Sequence, residues 1–149
     1  DGFANPTLSQ LSEVLAGKFR SRYDKLEIVD CRFPYEYEGG HIEGAVNLNT
    51  KEELEKYFFV NISTGTRTVV IFHCEFSAHR GPRMALHLRS KDRELNSENY
   101  PSLYFPEIYI VEGGYRKFYE EYGHFCVPQD YIEMSDAKFT HECEVLMNR

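Results

Sequence analysis

The sequence predicts an α/β domain built on a mainly parallel sheet. Three observations carry this expectation. Short apolar stretches of strand length alternate with segments of helical pattern, as in linked βαβ units. One stretch, Thr68-Val69-Val70-Ile71-Phe72, is apolar without alternation, which suits a strand covered on both faces. Helix-start signals, either caps or a first-turn proline, recur between the apolar runs.

Taken in order, Thr7-Leu8-Ser9-Gln10 has the T-x-x-Q form of a capping box. It opens a short helix with Leu8, Leu11 and Leu15 on one side, stopped by Gly17. Leu26 to Asp30 reads as a strand, and Arg32 to His41, with Pro34 and Gly39-Gly40, as a loop. Ala45 to Leu48 is a second strand. Thr50-Lys51-Glu52-Glu53 is a second capping box, opening a helix through about Phe59. After the Thr68–Phe72 strand, Pro82 fits the first turn of a helix running to about Leu95. Ile108 to Val111 is the next strand, and Gly113-Gly114 turns into a helix from Tyr115 to Tyr122. Beyond Cys126 the pattern weakens, with one further helix expected near Asp136 to Leu146.

The 149 residues, 42% of them hydrophobic, suit one domain with one core, residues 1–149. A formal net charge of −7 argues against a nucleic-acid binder. No run approaches the roughly 20 apolar residues that span a bilayer, and the start carries no signal-peptide pattern. The first residue is Asp rather than Met, which points to a piece of a longer protein. The four cysteines, Cys31, Cys74, Cys126 and Cys143, form no C-x-x-C pair and fit a reducing compartment better than a disulfide scaffold.

The chemistry concentrates in His73-Cys74-Glu75-Phe76-Ser77-Ala78-His79-Arg80. Five residues separate Cys74 from Arg80, between a buried-type strand and a helix start. A phosphate dianion needs several converging donors. A tight loop entering a helix can turn successive N–H groups inward, and the helix N-terminus adds partial positive charge. Arg80 can complete the ring with a planar, two-point guanidinium contact. The same field stabilises a thiolate on Cys74, so anion site and nucleophile share one cause. The plainer reading makes Cys74 a small core residue and Arg80 a solvated helix charge. The strand before, the Gly-Pro helix start after and the His before the cysteine favour chemistry.

His73-Cys74-Glu75-Phe76-Ser77 with Arg80-Gly81-Pro82-Arg83-Met84 resembles the M-phase inducer phosphatases, dual-specificity enzymes that activate cyclin-dependent kinases. The resemblance extends through Ile28-Val29-Asp30-Cys31-Arg32, Pro34 to Ile42, Tyr100-Pro101, Pro106-Glu107 and Gly113-Gly114-Tyr115, covering roughly Leu8 to Met134. Gly40-His41-Ile42-Glu43-Gly44-Ala45-Val46-Asn47 is a hallmark of the wider rhodanese-like fold. The resemblance implies a central five-stranded sheet flanked by helices. It also implies hydrolysis of phosphotyrosine and phosphothreonine on a phosphorylated cyclin-dependent kinase–cyclin complex, promoting entry into mitosis. No metal or cofactor and no membrane or nucleic-acid partner are expected; the location expected is nucleus and cytoplasm, and the sequence leaves the oligomeric state open, with a monomer as the expectation. The alternatives are arsenate reduction on the same fold and a non-catalytic kinase-binding domain.

Cys74 is then the nucleophile, Arg80 the phosphate clamp, and Glu75 to Arg80 the amide donors. Glu75 is either the leaving-group acid or a loop-ordering group. Many relatives have Glu at the position of His79, so an obligatory acid there is a poor choice. Arg83 lines the pocket rim or is a solvated helix charge. Asp30, a carboxylate ending a buried strand, must be paired, with Arg32 or an arginine near the loop as partner, and general-acid work is the alternative to this structural role. His41 is expected as a hydrogen-bonded turn residue. Cys31 and Cys74 end strands at one sheet edge, and the resemblance gives Cys31 the role of resolving thiol, against an inert core cysteine. Arg89, Arg93 and Tyr100 match, by resemblance, a remote kinase-docking patch; by themselves they are a basic helix face and a loop aromatic. His124-x-Cys126 and His141-x-Cys143 do not have a recognisable zinc spacing.

Overall fold

The computed structural model describes residues 3–148. In chain order it contains α1 (Leu8–Leu15), β1 (Lys25–Asp30), α2 (Pro34–Glu38), β2 (His41–Ile42), β3 (Val46–Asn47), α3 (Lys51–Phe59) and β4 (Thr68–His73). There follow α4 (Arg80–Leu95), β5 (Glu107–Ile110), α5 (Gly114–Tyr122), β6 (Cys126–Val127) and α6 (Thr140–Met147). The main sheet has the order β3-β1-β4-β5, parallel throughout. Its fifth position is reduced to a parallel bridge from Ala4 to Tyr109, so the expected five strands are four plus one bridge. A separate antiparallel pair joins β2 to β6.

Alternation along the central strands explains why both faces are covered. Val29, Val70 and Phe72 face one way and pack with Leu54 and Phe58 of α3 and Met84, Ala85 and Leu88 of α4. Ile28 and Ile71 face the other way, toward Leu8 and Leu11 of α1 and Tyr115 and Phe118 of α5. A strand buried on both sides cannot show a polar face, hence the unbroken apolar run of β4.

The Thr7 capping box is formed in both directions, with Gln10 N–H donating to Thr7 Oγ1 and Thr7 N–H to Gln10 Oε1. At Thr50 only half is present. Its hydroxyl accepts from Glu53 N–H, while the Glu53 carboxylate turns instead to the Asn49 N–H. The segment expected as a loop before His41 contains α2, with Pro34 in its first turn and Gly39 as C-cap. Five residues are too few to display helical periodicity.

The register pairs Asp30 with His73 across β1 and β4. The next residues on the two strands are Cys31 and Cys74, at the carboxyl ends where parallel α/β sheets present ligand sites.

Candidate active site

Cys74 leaves β4 and Arg80 begins α4, so the loop between them spans a strand end and a helix start. The buried Cys74 Sγ accepts the Gly81 N–H at 3.1 Å, one of the helix donors that has no intrahelical partner. Among the described residues, the N–H groups from Phe76 to Arg80 have no protein acceptor. Ser77 sits at the tip with φ of 57°, a left-handed conformation uncommon for a non-glycine residue, which helps turn the loop tightly.

The outer side of the loop is held by α5. Tyr115 N–H donates to the Cys74 carbonyl at 2.9 Å and Arg116 N–H to the Glu75 carbonyl at 3.0 Å. With two loop carbonyls pinned outward, the following peptide groups are free to turn their N–H groups inward. Gly114 makes this approach possible. Its φ is +66°, and a Cβ there would lie 2.5 Å from the Glu75 carbonyl oxygen.

Arg80 is ion-paired with Glu36 of α2, Nη1 to Oε2 at 2.6 Å and Nη2 to Oε1 at 3.0 Å. Glu36 is fully buried and also accepts the Phe33 N–H at 2.9 Å. Burial works against the Arg80 charge, but hydrogen bonding to and attraction by Glu36 outweigh it and leave the guanidinium's pKa above its ordinary value. The guanidinium lies over the Phe33 ring, 5.3 Å from its centroid.

The Glu75 side chain is buried. One carboxylate oxygen accepts the Tyr131 hydroxyl and the other the Met134 N–H at 3.4 Å. These contacts tie the segment before α6 to the loop, as the loop-ordering role expects. Tyr35 reinforces this tie, donating to the Met134 carbonyl and stacking on Phe139.

Asp30 is paired with Arg32, as its position at a buried strand end requires. Arg32 Nε donates to Asp30 Oδ1 at 2.9 Å and Nη2 to Oδ2 at 2.6 Å, with both residues fully buried. Burial alone would raise the Asp30 carboxyl's pKa; neighbouring His73 and the charge and hydrogen bonds of Arg32 bring it below the ordinary value. Arg32 also donates to the Gly40 carbonyl and lies over the Tyr115 ring. His41 is hydrogen-bonded as expected, its Nδ1 2.7 Å from the Tyr37 carbonyl and its ring stacked on Tyr37, but it opens β2 instead of lying in a turn.

Cys31 is buried beside Cys74, and its N–H donates to the His73 carbonyl at 2.9 Å. Burial pushes the Cys31 thiol well up, and the nearby Cys74 adds to the effect. A cleft of about 530 Å³ opens beside the loop, lined by Cys31, Phe33, Arg80, Met84, Leu146 and the exposed Arg83.

The three remote residues are separated in character. Arg93 is exposed and Tyr100 is 86% exposed. Arg89 bends back, donating to the Pro106 carbonyl at 3.3 Å and lying over the Phe3 ring. Among the described residues, no group of three or more His, Cys, Asp or Glu is gathered as a metal site. No helix is long and apolar enough to cross a membrane, among the described residues.

Sequence reasoning missed Glu36, Gly114 and the Tyr131–Met134 tie. A signal existed for the first. Pro34 and Gly39 bound a short helix, which puts Glu36 in the first turn and makes it a buried carboxylate needing a cation. The tie has no sequence signal, because 56 residues separate Glu75 from Tyr131.

Fold and site together define a doubly covered parallel α/β domain with a cysteine-headed anion loop at the carboxyl edge of its sheet. The chain belongs to the rhodanese-like domain family, whose model matches residues 13–121. It is 48% identical, over 99% of its length, to an M-phase inducer phosphatase of Schizosaccharomyces pombe and covers 25% of that protein. It is 46% identical, again over 99% of its length, to M-phase inducer phosphatase 3 of Homo sapiens, covering 31% of it. The chain therefore spans between a quarter and a third of these relatives. Among solved structures, an As-Sb reductase from Leishmania major superposes with a TM-score of 0.63 at 24% identity, covering 83% of this chain and 81% of that one. A yeast protein tyrosine phosphatase of the rhodanese family superposes with a TM-score of 0.62 at 20% identity, covering 83% and 88%. These superpositions bear on the fold.

Proposed function

We propose that this chain is the catalytic domain of a dual-specificity protein phosphatase. Its substrates are phosphotyrosine and phosphothreonine on a cyclin-dependent kinase bound to its cyclin, and its action promotes entry into mitosis. The observation that carries this reading is the loop itself: Cys74 Sγ accepts the Gly81 N–H at the start of α4, and, among the described residues, the loop amides from Phe76 to Arg80 have no protein acceptor. The likeness to M-phase inducer phosphatases supports the substrate class.

In the proposed reaction the Cys74 thiolate attacks phosphorus, forming an S–P bond as the P–O bond to the substrate oxygen breaks. The loop amides and Arg80 carry the charge on the equatorial oxygens. With Glu75 held by Tyr131 and Met134, the departing oxygen takes its proton from the phosphate monoanion or from water. Water then attacks the phosphocysteine, releasing inorganic phosphate and restoring the thiolate. The loop is open, so selectivity comes from docking of the protein substrate.

The test is hydrolysis of a doubly phosphorylated kinase–cyclin complex, compared with an isolated phosphopeptide, by wild type and Cys74→Ser. The expected result is faster turnover of the complex and none by Cys74→Ser, which should still bind the complex. Turnover by Cys74→Ser at near wild-type rate would remove the nucleophile. Cys74-dependent, glutathione-driven arsenate reduction without phosphatase turnover would replace the reaction class.

A further inference from the structure

A catalytic arginine whose guanidinium is already occupied by a carboxylate must bind phosphate with what remains. Glu36 takes one N–H from Nη1 and one from Nη2, the terminal edge of the group. A guanidinium has five N–H donors. Three are left: the Nε–H and one on each terminal nitrogen. Among the described residues the Nε–H has no acceptor, and its edge matches the spacing of two phosphate oxygens. The Arg80 side chain is 22% exposed while that of Glu36 is wholly buried, so the pair reaches solvent on the arginine side only.

Glu36 is itself fixed. It lies in the first turn of α2, its Oε2 also receives the Phe33 N–H, and the Phe33 ring lies beneath the guanidinium. We propose that Glu36 is a positioning residue for Arg80, gripping the terminal edge of the guanidinium so that the Nε–H edge is presented to the phosphoryl group. This deepens the phosphatase reading and rests on it. An arginine held this way arrives oriented for the transition state, without the loss of side-chain freedom that a loose one would suffer. The carboxylate also offsets the guanidinium's charge, so its removal should not weaken ground-state attraction for an oxyanion.

The two effects have opposite signs, and that separates positioning from mere structural support. Glu36→Gln keeps the side-chain volume and an oxygen for the Phe33 N–H, but loses the charge and one acceptor for Arg80. On a small aryl phosphate, kcat should fall by about tenfold or more. Tungstate affinity, measured by calorimetry, should be unchanged or tighter. In an Arg80→Lys background there is no planar edge to orient, and Glu36→Gln should lower kcat by less than about twofold. The proposal is overturned if Glu36→Gln keeps kcat within about twofold of wild type. It is also overturned if the fall is as large in the Arg80→Lys background, or if tungstate binding weakens in step with kcat. Tungstate titration does not depend on turnover, so a wild type that binds it but shows no Cys74-dependent hydrolysis would count against the phosphatase reading alone.

Discussion

Gly114→Ala should damage the loop from a position that touches no substrate. The added Cβ would lie 2.5 Å from the Glu75 carbonyl oxygen and 2.7 Å from that of Cys74, both backbone atoms that cannot swing aside. The residue's φ of +66° adds a left-handed cost of about 1–2 kcal/mol for a residue with a Cβ. Relief of the overlap requires α5 to move off the loop, at an overpacking cost of about 1–3 kcal/mol. The Tyr115–Cys74 and Arg116–Glu75 hydrogen bonds lengthen with that movement. The terms overlap, so the expected loss is about 2–4 kcal/mol, or about 5–15 °C in melting temperature for a chain of this size. Activity on a small aryl phosphate should fall as well, because the pinned carbonyls set the direction of the amides that follow them. Gly113→Ala is the control: its φ is +75°, but the atoms nearest its Cβ would be carbons of the flexible Lys117 side chain, with Cδ at 2.6 Å, and not loop backbone. That variant should show the backbone cost alone, about 1–2 kcal/mol, with activity retained. Thermal melts and steady-state kinetics on both proteins decide. A Gly114→Ala protein that melts no lower than Gly113→Ala, within about 2 °C, and turns over normally would refute the claim that α5 holds the loop.

Three further outcomes are expected. Arg80→Lys, which keeps charge but not the planar contact, should lose about a hundredfold or more in kcat/KM on any phosphate ester; a loss below about threefold would take Arg80 out of the clamp. Arg93→Ala with Tyr100→Ala should slow hydrolysis of the kinase complex and leave a small aryl phosphate unaffected, since both side chains are exposed away from the loop; equal losses on both substrates would show damage to the fold instead. Mild peroxide should link Cys31 to Cys74 in a dithiol-reversible bond, because the two follow a paired register on adjacent strands about 5 Å apart; if Cys31→Ser over-oxidises at Cys74 no faster than wild type and no linked peptide forms, Cys31 is a packing residue only.

What could be read from the sequence followed from features that are local. The β4 run, the first turn of α4 with Pro82 in it and the C-x5-R spacing each lie within one stretch of chain, and the strand and the helix appear where expected. Asp30 was legible as a residue needing a partner because burial of a carboxylate imposes that need whatever the fold. The misses have two physical sources. Some elements are too short to carry a period, as with α2 and the strand replaced by the Ala4 bridge. Others depend on long-range pairing. The contacts of the Glu75 carboxylate come from Tyr131 and Met134, more than fifty residues along the chain. Arg89 likewise reads as a free cation on a helix face until the segments bearing Phe3 and Pro106 pack against it.

The site residues then divide by what they hold. A chain of buried contacts runs from Asp30 to Arg32, from Arg32 to the Tyr115 ring, and from the Tyr115 N–H to the Cys74 carbonyl. It contains no group that faces the loop interior, and the Asp30–Arg32 pair within it is fully buried. Breaking that pair leaves an uncompensated buried charge, a cost of about 3–5 kcal/mol that falls on the whole domain. Glu36 and Arg80 form a second pair, buried at the Glu36 end and open to solvent at the Arg80 end, where the guanidinium meets the phosphoryl group in the proposed reaction. Substitutions along the first chain should therefore lower stability and activity together. In the second pair Glu36→Gln, which leaves no buried charge behind, should lower activity more than stability, and that separation distinguishes what builds this loop from what works in it.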